Sequence, residues 1–410
     1  MISVEEALAY IGGCAHRLPA RRVALGEALG LHLAEPIISA VDSPPFDKSM
    51  VDGYAISVHD PSPTHRILEQ VLAGGVPHHA IQPGATISLM TGAPVPEGAD
   101  AVVKQEDVQQ LDESRIQLPA SEVAEGDNIL HQGAAFQTGQ EVLAADQRLG
   151  PIEIALLAEL GQATVLATPR PRVAVLPTGN ELVDGDQPLA AGQIHNSNGP
   201  LLLAALESLR MPSVDLGIGR DEQDELRRLM QQGLEADVLV VTGGVSTGVK
   251  DLAPSVLAEL GVRQVFHKVR MKPGKPLWFG VYEQDERQTL VFGLPGNPVS
   301  TLVSMEIFVK PALRALAGEP WAPASTIRSV LTDAFAHRGN RLTYHPCHLH
   351  FGQRAQGLPC VEPLVWRGSA DLAALTRANA LAVLPEGAYQ LEAGSEVDVV
   401  ALRAGSAGDP

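Results

Sequence analysis

The sequence predicts an α/β multidomain protein in which a mostly parallel sheet is accompanied by further β-rich modules. Three observations carry this expectation. Between about residues 170 and 317, apolar strand-like runs alternate with helix-length segments. From about 54 to 145 the pieces are short and strand-like, with turn signals at Gly74-Gly75, Pro83-Gly84, Pro96-Glu97-Gly98, Glu125-Gly126-Asp127 and Gly139. Residues 326–403 read as a second small β module that ends in the alternating strand Val397–Leu402.

Taken in order, residues 2–35 read as helical, since Val4, Leu8 and Ile11 share a face, as do Leu25, Ala28 and Leu29. The run Asp42-Ser43-Pro44-Pro45-Phe46-Asp47 breaks that pattern, and the β-rich stretch follows. Helix returns over 151–160, where Ile152, Leu156 and Leu160 recur every four residues. Val173–Leu176 is a buried-strand run, followed by a helix over Leu202–Leu209 and a strand at Val214–Ile218. The next helix carries Leu226, Leu229 and Met230 on one face. Asp237–Val241 is the strongest strand and runs straight into Thr242-Gly243-Gly244. Strands at Val262–Phe266, Leu277–Val281 and Leu290–Phe292 come next, Val299–Ala315 closes as a helix, and Trp321–Ala324 is a linker.

The composition excludes several classes of function. The chain has 410 residues, enough for two to four domains at roughly 100–200 residues each. Its net charge of −18 disfavours nucleic acid and anionic membranes as partners. An aromatic content of 4% weakens single-strand readings that depend on base stacking. Cys14, Cys347 and Cys360 are sparse and odd in number, so a reducing, cytoplasmic setting is expected rather than a disulfide framework. The first ten residues carry two glutamates and no basic residue, unlike a signal peptide, and no apolar run reaches bilayer length.

Ligands of open α/β sheets bind outside the carboxyl ends of the strands. Three Gly-rich loops stand at such ends: Pro177–Glu181, Thr242–Gly248 and Gly293–Pro298. Glycine lets backbone amides approach an anion, although tight turns also use it for structural reasons alone. No loop has Walker A or dinucleotide spacing, which disfavours a nicotinamide dehydrogenase. A basic cluster, Arg263, Lys268, Arg270, Lys272 and Lys275, lies just beyond, and period-2 spacing puts Lys268, Arg270 and Lys272 on one side of an extended segment. Three like charges on one face suit a phosphate or oxyanion. Asp52, Glu181, Asp221 and Asp251 stand in turns, and carboxylates beside a phosphate site suit Mg2+. His345, Cys347, His348 and His350 invite a zinc reading, but on a strand they split between two faces.

In this order the motifs are specific. They are Asp52-Gly53-Tyr54-Ala55, Met90–Asp100 (MTGAPVPEGAD), Thr178-Gly179-Asn180-Glu181-Leu182, Gly217-Ile218-Gly219-Arg220-Asp221, Thr242–Ser246, Lys272-Pro273-Gly274-Lys275-Pro276 and Leu294–Ser300. The chain resembles, over nearly its whole length, the molybdopterin molybdenumtransferase family, bacterial molybdenum-cofactor enzymes related to the gephyrin E domain. The resemblance implies an elongated homodimer of four-domain chains. Residues 1–20 plus 170–320 would form a molybdopterin-adenylyltransferase-like α/β domain. Residues 21–41 plus 141–169 would form a small mixed linker and dimerisation domain, 42–140 a β-rich inserted domain, and 324–410 a C-terminal β-barrel-like domain.

The implied reaction is Mg2+-dependent: adenylylated molybdopterin and molybdate give molybdenum cofactor and AMP. Thr178, Gly243, Gly244, Ser246, Pro295 and Pro298 would hold the pterin and its phosphates. Lys268, Lys272 and Lys275 would meet phosphate or molybdate charge, and Glu181, Asp221 and Asp251 the metal and nucleotide. Asp52 and Thr91 would reach the partner subunit's site, and Arg341 and Ser369 would meet the molybdate or substrate. Molybdopterin adenylyltransferase and molybdoenzyme-maturation proteins are implied as partners. The sequence also departs from the family. Where the family reads V-R-x-x-G-E-D this chain has Ile129-Leu130-His131-Gln132-Gly133-Ala134-Ala135, and its N-S-A-M-D-G-Y is Lys48-Ser49-Met50-Val51-Asp52-Gly53-Tyr54. Two alternatives therefore stand beside the transferase: a weakened paralogue acting as a cofactor-binding scaffold, and a nucleotide pyrophosphatase or adenylyltransferase on the same α/β unit.

Overall fold

A computed structural model describes residues 1–120, 122–245 and 252–402. The chain divides into two compact units, Met1–Arg21 with Thr168–Pro410, and Arg22–Ala167.

The first unit is built on a six-stranded sheet in the order Ser213–Asp215, Val173–Pro177, Val238–Thr242, Arg287–Leu294, Trp278–Gln284 and Arg263–His267. The first four run parallel, as the alternation predicts. The last two add antiparallel, because only Asp285 and Glu286 separate Trp278–Gln284 from Arg287–Leu294. A two-residue link makes a hairpin, whereas a parallel crossover needs a dozen residues or more. The central strands carry long apolar runs, Val238–Val241 and Leu290–Leu294, because both faces are covered. Val173, Val175, Val238, Val240, Phe279 and Phe292 pack on one side with Val4, Ile11, Leu202, Leu206 and Phe308. Ala174, Leu176, Leu239 and Val241 pack on the other with Leu226, Leu229, Met230, Val256 and Leu257. Each large side chain so buried contributes roughly 1.5–3 kcal/mol.

Helix boundaries shift from the expected ones for local reasons. The expected 2–35 helix is a single element, Val4–Gly12, started by a capping box between Ser3 and Glu6. Beyond it Arg21–Ala24 is strand and Leu25–Glu27 a single 3-10 turn, so Leu25, Ala28 and Leu29 do not form a helical face. The Val299–Ala315 helix contains a wide π turn, Met305–Val309, just before Pro311. Proline has no amide to donate to the carbonyl four residues back, and the wider turn accommodates that loss.

The C-terminal part of this unit is a closed barrel. Its order is Leu342–Ala355, Leu358–Pro363, Thr326–Leu331, Glu396–Ala401 and Ala380–Leu384, which returns to Leu342–Ala355. Leu331, Cys347, Leu349, Val361, Ala382 and Val399 fill it. Met271–Lys272, from the α/β part, pairs in parallel with Leu342–Thr343.

The second unit holds a six-stranded sheet, in the order Ala101–Lys104, Gly53–Ile56, Ala85–Leu89, Thr64–Val71, Arg115–Gln117 and Gln109–Asp112. A separate core gathers Val23, Leu31, Leu33, Leu143, Leu149 and Leu157, the last on the helix Pro151–Glu159. The loop before Thr64–Val71 is pinned by Asp60, whose carboxylate meets buried His65 Nε2 at 3.0 Å and accepts from the Gly84 amide at 2.6 Å and the Ser62 amide at 2.9 Å. Burial pushes this carboxyl up, but hydrogen bonds from Ser62 and Gly84 and the nearby His65 outweigh it and bring it from 3.8 to about 2. A depressed folded pKa stabilises above the unfolded value and ceases to do so as pH falls through the folded one. Asp60→Asn should therefore lower urea stability at about pH 6, and the gap from wild type should close as pH falls from about 4 to about 2. An equal gap at both ends of that range would exclude the carboxylate as the anchor.

Candidate functional site

Adjacent parallel strands Val173–Pro177, Val238–Thr242 and Arg287–Leu294 end at the same level, so their loops meet. Thr178 N–H donates to Thr242 O at 2.7 Å, and Gly243 N–H donates to Leu294 O at 3.2 Å. Gly243 takes φ of +83° with its Cα against the Thr178 carbonyl, which a Cβ would strike. Glycine is therefore required here by both conformation and space. Gly244 likewise lies against the Thr178 hydroxyl. Asn198, buried at the start of helix Asn198–Ser208, donates from Nδ2 to Gly296 O at 2.8 Å and so ties the third loop to the others. Pro295 O accepts from the Thr301 hydroxyl at 2.8 Å, and Pro298 opens the following helix, where its missing amide costs nothing. Thr178, Gly243, Gly244, Pro295 and Pro298 thus belong to one cluster of loops. Ser246 and Asp251 lie outside the described residues.

Beside these loops is a cleft of about 260 Å³ between the α/β part and the barrel. Lys272, Lys275, Pro295, Asn297 and Ser300 line it from one side, and Arg341, Trp366 and Ser369 from the other. The pairing of Met271–Lys272 with Leu342–Thr343 sets this apposition. Arg341 Nη1 donates to Met271 O at 3.2 Å, and Asn297 Nδ2 donates to Ser369 Oγ at 2.9 Å. The Lys272 ammonium stands 5.8 Å from the centre of the Trp366 ring. Three cations with hydroxyl and amide donors make a receptor for a small multiply charged oxyanion.

The expected cationic stripe is not there as drawn. Strand Arg263–His267 ends before Lys268, which takes φ of +72°, so the segment is not extended and period-2 reasoning fails. Lys268 does not line the cleft. Arg270 lies 3.9 Å from Glu386. Lys272 and Lys275 remain, joined by Arg341 from a distant part of the sequence.

The carboxylates sit on the neighbouring loops. Asp221 and Asn180 bond each other reciprocally: Asp221 N–H donates to Asn180 Oδ1 at 3.1 Å, and Asn180 N–H donates to Asp221 Oδ2 at 3.3 Å. The exposed Glu181 carboxylate folds back over Gly179. Arg220, which stands in the motif Gly217–Asp221 without a role assigned from sequence, holds this loop by donating from Nη1 to Leu182 O at 2.7 Å. Among the described residues no three His, Cys, Asp or Glu side chains form a ready metal cage. Two carboxylates with water and ligand phosphates still fit Mg2+, which keeps most of its waters. Trp366 was also missed, since nothing in its local sequence marks it.

In the other unit Asp52 and Thr91 meet at the ends of strands Gly53–Ile56 and Ala85–Leu89. Asp52 Oδ1 accepts from the Thr91 amide at 2.7 Å and its hydroxyl at 2.8 Å, and these bonds hold the Asp52 carboxyl below the ordinary range. The segment Leu130–Gln132 is well tied. Leu130 pairs with Lys48, His131 Nδ1 lies 3.1 Å from Asp47 Oδ2, and the Gln132 amide donates to Asp47 Oδ1 at 2.7 Å.

Comparison with known proteins covers the chain in three parts. The MoeA N-terminal region (domain I and II) matches residues 2–161, a probable molybdopterin binding domain matches 174–315, and the MoeA C-terminal region (domain IV) matches 328–402. A molybdopterin molybdenumtransferase of Staphylococcus aureus is 33% identical over 97% of this chain and 95% of its own. Its counterpart in Synechococcus elongatus is 35% identical over 94% and 95%. A molybdopterin biosynthesis MoeA protein of Pyrococcus horikoshii superposes with a TM-score of 0.80 at 29% identity, covering 98% of this chain and 100% of that one.

Replacing Thr91 by Val removes the hydroxyl and keeps the backbone donor. The Asp52 pKa should then rise part of the way to its ordinary value, followed by the Asp52 carboxyl resonance in an NMR titration. No movement would mean that the hydroxyl bond does not form in solution.

Proposed function

This chain belongs to the molybdopterin molybdenumtransferase family, and from that membership we propose how its loops and cleft divide the reaction. The protein is an enzyme of molybdenum-cofactor biosynthesis that inserts molybdate into molybdopterin. The single observation that carries the site assignment is the apposition of Lys272, Lys275 and Arg341 in one cleft beside the strand-end loops. Molybdate is a small dianion, and three cations with Ser300, Ser369 and Asn297 match its charge and its need for donors.

The pterin substrate is adenylylated, and AMP leaves when molybdate enters. Loops carrying Thr178, Gly243 and Gly244, with Ser246 in the adjoining segment, hold the pterin and its phosphates. Glu181 and Asp221, together with Asp251, would hold Mg2+, which would supply positive charge to offset the substrate's phosphates. Arg220 and Asn198 keep these loops in place. The active form is a homodimer in which Asp52 and Thr91 complete the partner subunit's site, and the four-domain division applies to each chain. It works in the cytoplasm and exchanges substrate and product with molybdopterin adenylyltransferase and molybdoenzyme-maturation proteins. Among the described residues no helix is long and apolar enough to cross a membrane. Neither the scaffold nor the pyrophosphatase alternative is favoured, since relatives named for the transferase align along nearly the whole chain.

The purified chain with Mg2+ and adenylylated molybdopterin should release AMP only when molybdate is added. Release without molybdate would indicate the pyrophosphatase, and tight pterin binding without turnover the scaffold. Lys272→Ala should weaken molybdate binding at low salt by about 1.5–3 kcal/mol, the worth of a hydrogen bond to a charged group. The deficit should shrink as salt screens the attraction between Lys272 and molybdate in the wild type. An affinity that matches wild type at every salt concentration would remove Lys272 from the oxyanion site.

A further inference from the structure

Lys272 and Trp366 come from opposite walls of the cleft and meet inside it. Lys272 is exposed, on the two-residue strand Met271–Lys272, whose backbone is fixed by pairing with Leu342–Thr343. Its ammonium stands over the Trp366 ring, 5.8 Å from the centre, within the range where the ring's negative face attracts a cation. Among the described residues no carboxylate lies within ion-pair distance of it. Arg270, two residues earlier, is instead offset by Glu386 at 3.9 Å. The difference matters for an anion receptor. A carboxylate would hold the lysine and cancel its charge, whereas an aromatic face holds it and leaves the charge in place.

The ring itself is held from several sides. Leu364 N–H donates to Pro346 O at 3.1 Å, and Arg367 N–H donates to Asp371 Oδ2 at 3.1 Å, so the chain is tied on both sides of Trp366. The His345 ring packs against it at 5.7 Å, nearly perpendicular at 81°, and Phe335 packs in turn on His345 at 4.7 Å. His345 is anchored through Nε2, 2.9 Å from Leu364 O; a carbonyl only accepts, so Nε2 carries the proton. Trp366 Nε1 is buried and has no hydrogen-bond partner among the described residues, although a buried indole N–H usually finds one. The ring's orientation is thus set by its contacts with His345 and Lys272 and not by a hydrogen bond of its own.

We propose that Trp366 is a positioning residue for molybdate: it holds the Lys272 ammonium, with its charge intact, where the oxyanion enters the cleft. A lysine free in solvent must give up the rotation of its long stem to bind an anion. A lysine already resting on a ring has less freedom to lose, so its charge contributes more fully to affinity. Through the packing of Phe335, His345 and Trp366, the barrel becomes a determinant of anion affinity without itself supplying the cation. The inference rests on the reading of the cleft as the oxyanion site.

Sodium molybdate should be titrated by calorimetry, at low salt, into the full-length chain and into Trp366→Leu, Lys272→Ala and the double variant. Trp366→Leu should weaken binding about three- to tenfold, and Trp366→Phe, which keeps a ring, should recover part of the loss. In the Lys272→Ala background Trp366→Leu should cause no further loss, because the two residues act as one unit. Tryptophan carrying increasing numbers of fluorines, introduced at position 366 alone, keeps the ring's shape while depleting the charge on its face. Affinity should then fall stepwise, and this arm stands even if the leucine variant does not fold. Equal losses from Trp366→Leu with and without Lys272, or an affinity indifferent to fluorination, would overturn the inference while leaving the oxyanion site. An affinity unchanged in Lys272→Ala would remove the cleft reading and the inference with it.

Discussion

Two residues of backbone, Met271 and Lys272, pair in parallel with Leu342 and Thr343 of the barrel. The cleft depends on this short ladder. It holds Lys272 and Lys275 opposite Arg341, Trp366 and Ser369, and Arg341 strengthens it by donating back to Met271 O. A barrel joined to the α/β part only by the chain at 317–325 would leave that geometry to a linker. Backbone pairing, with the Ser369 O bond to the Val299 amide at 3.1 Å, makes it a property of the fold.

The cleft also reconciles an acidic chain with an anionic substrate. A net charge of −18 describes the whole surface, and a site responds to its immediate neighbours. Arg270 is offset by Glu386, while Lys272 rests beside an aromatic ring that favours the cation. His337 and His345 are both held below the ordinary imidazole range, chiefly by burial and in part by the Lys272 charge. Neutral imidazoles beside the cleft leave its charge to the lysines and the arginine.

The segment Ile129–Ala135 is held by local structure. Ile129–Ala135 contains no arginine or carboxylate, and most of its backbone amides are hydrogen-bonded. Gly133 N–H donates to Pro44 O, Ala135 N–H to Ser43 O, and Gln132 Nε2 to Asp42 Oδ2. His131 and Gln132 use Asp47 as their partner, and the Gln132 amide is the main cause holding that carboxyl low. Asp42, Asp47 and backbone partners thus tie the turn, while Asp52 and Thr91 pair on strand ends of their own.

The sequence by itself determined the elements whose cause is local. Uninterrupted apolar runs gave away the doubly covered strands at 173–177 and 238–242, and glycines at strand ends marked the loops, because periodicity and backbone freedom act over a few residues. It overran where several weak local signals were read as one, as in the helix expected over 2–35. It misdrew the cationic stripe because a single positive φ at Lys268 ends the extended geometry. Tertiary structure alone decided that Trp366 joins Lys272, that Asn198 ties the strand-end loops together, and that Cys360 and Glu362 stand opposite His350 and His348. Those pairings depend on strand register between segments distant in sequence, and no local pattern encodes register.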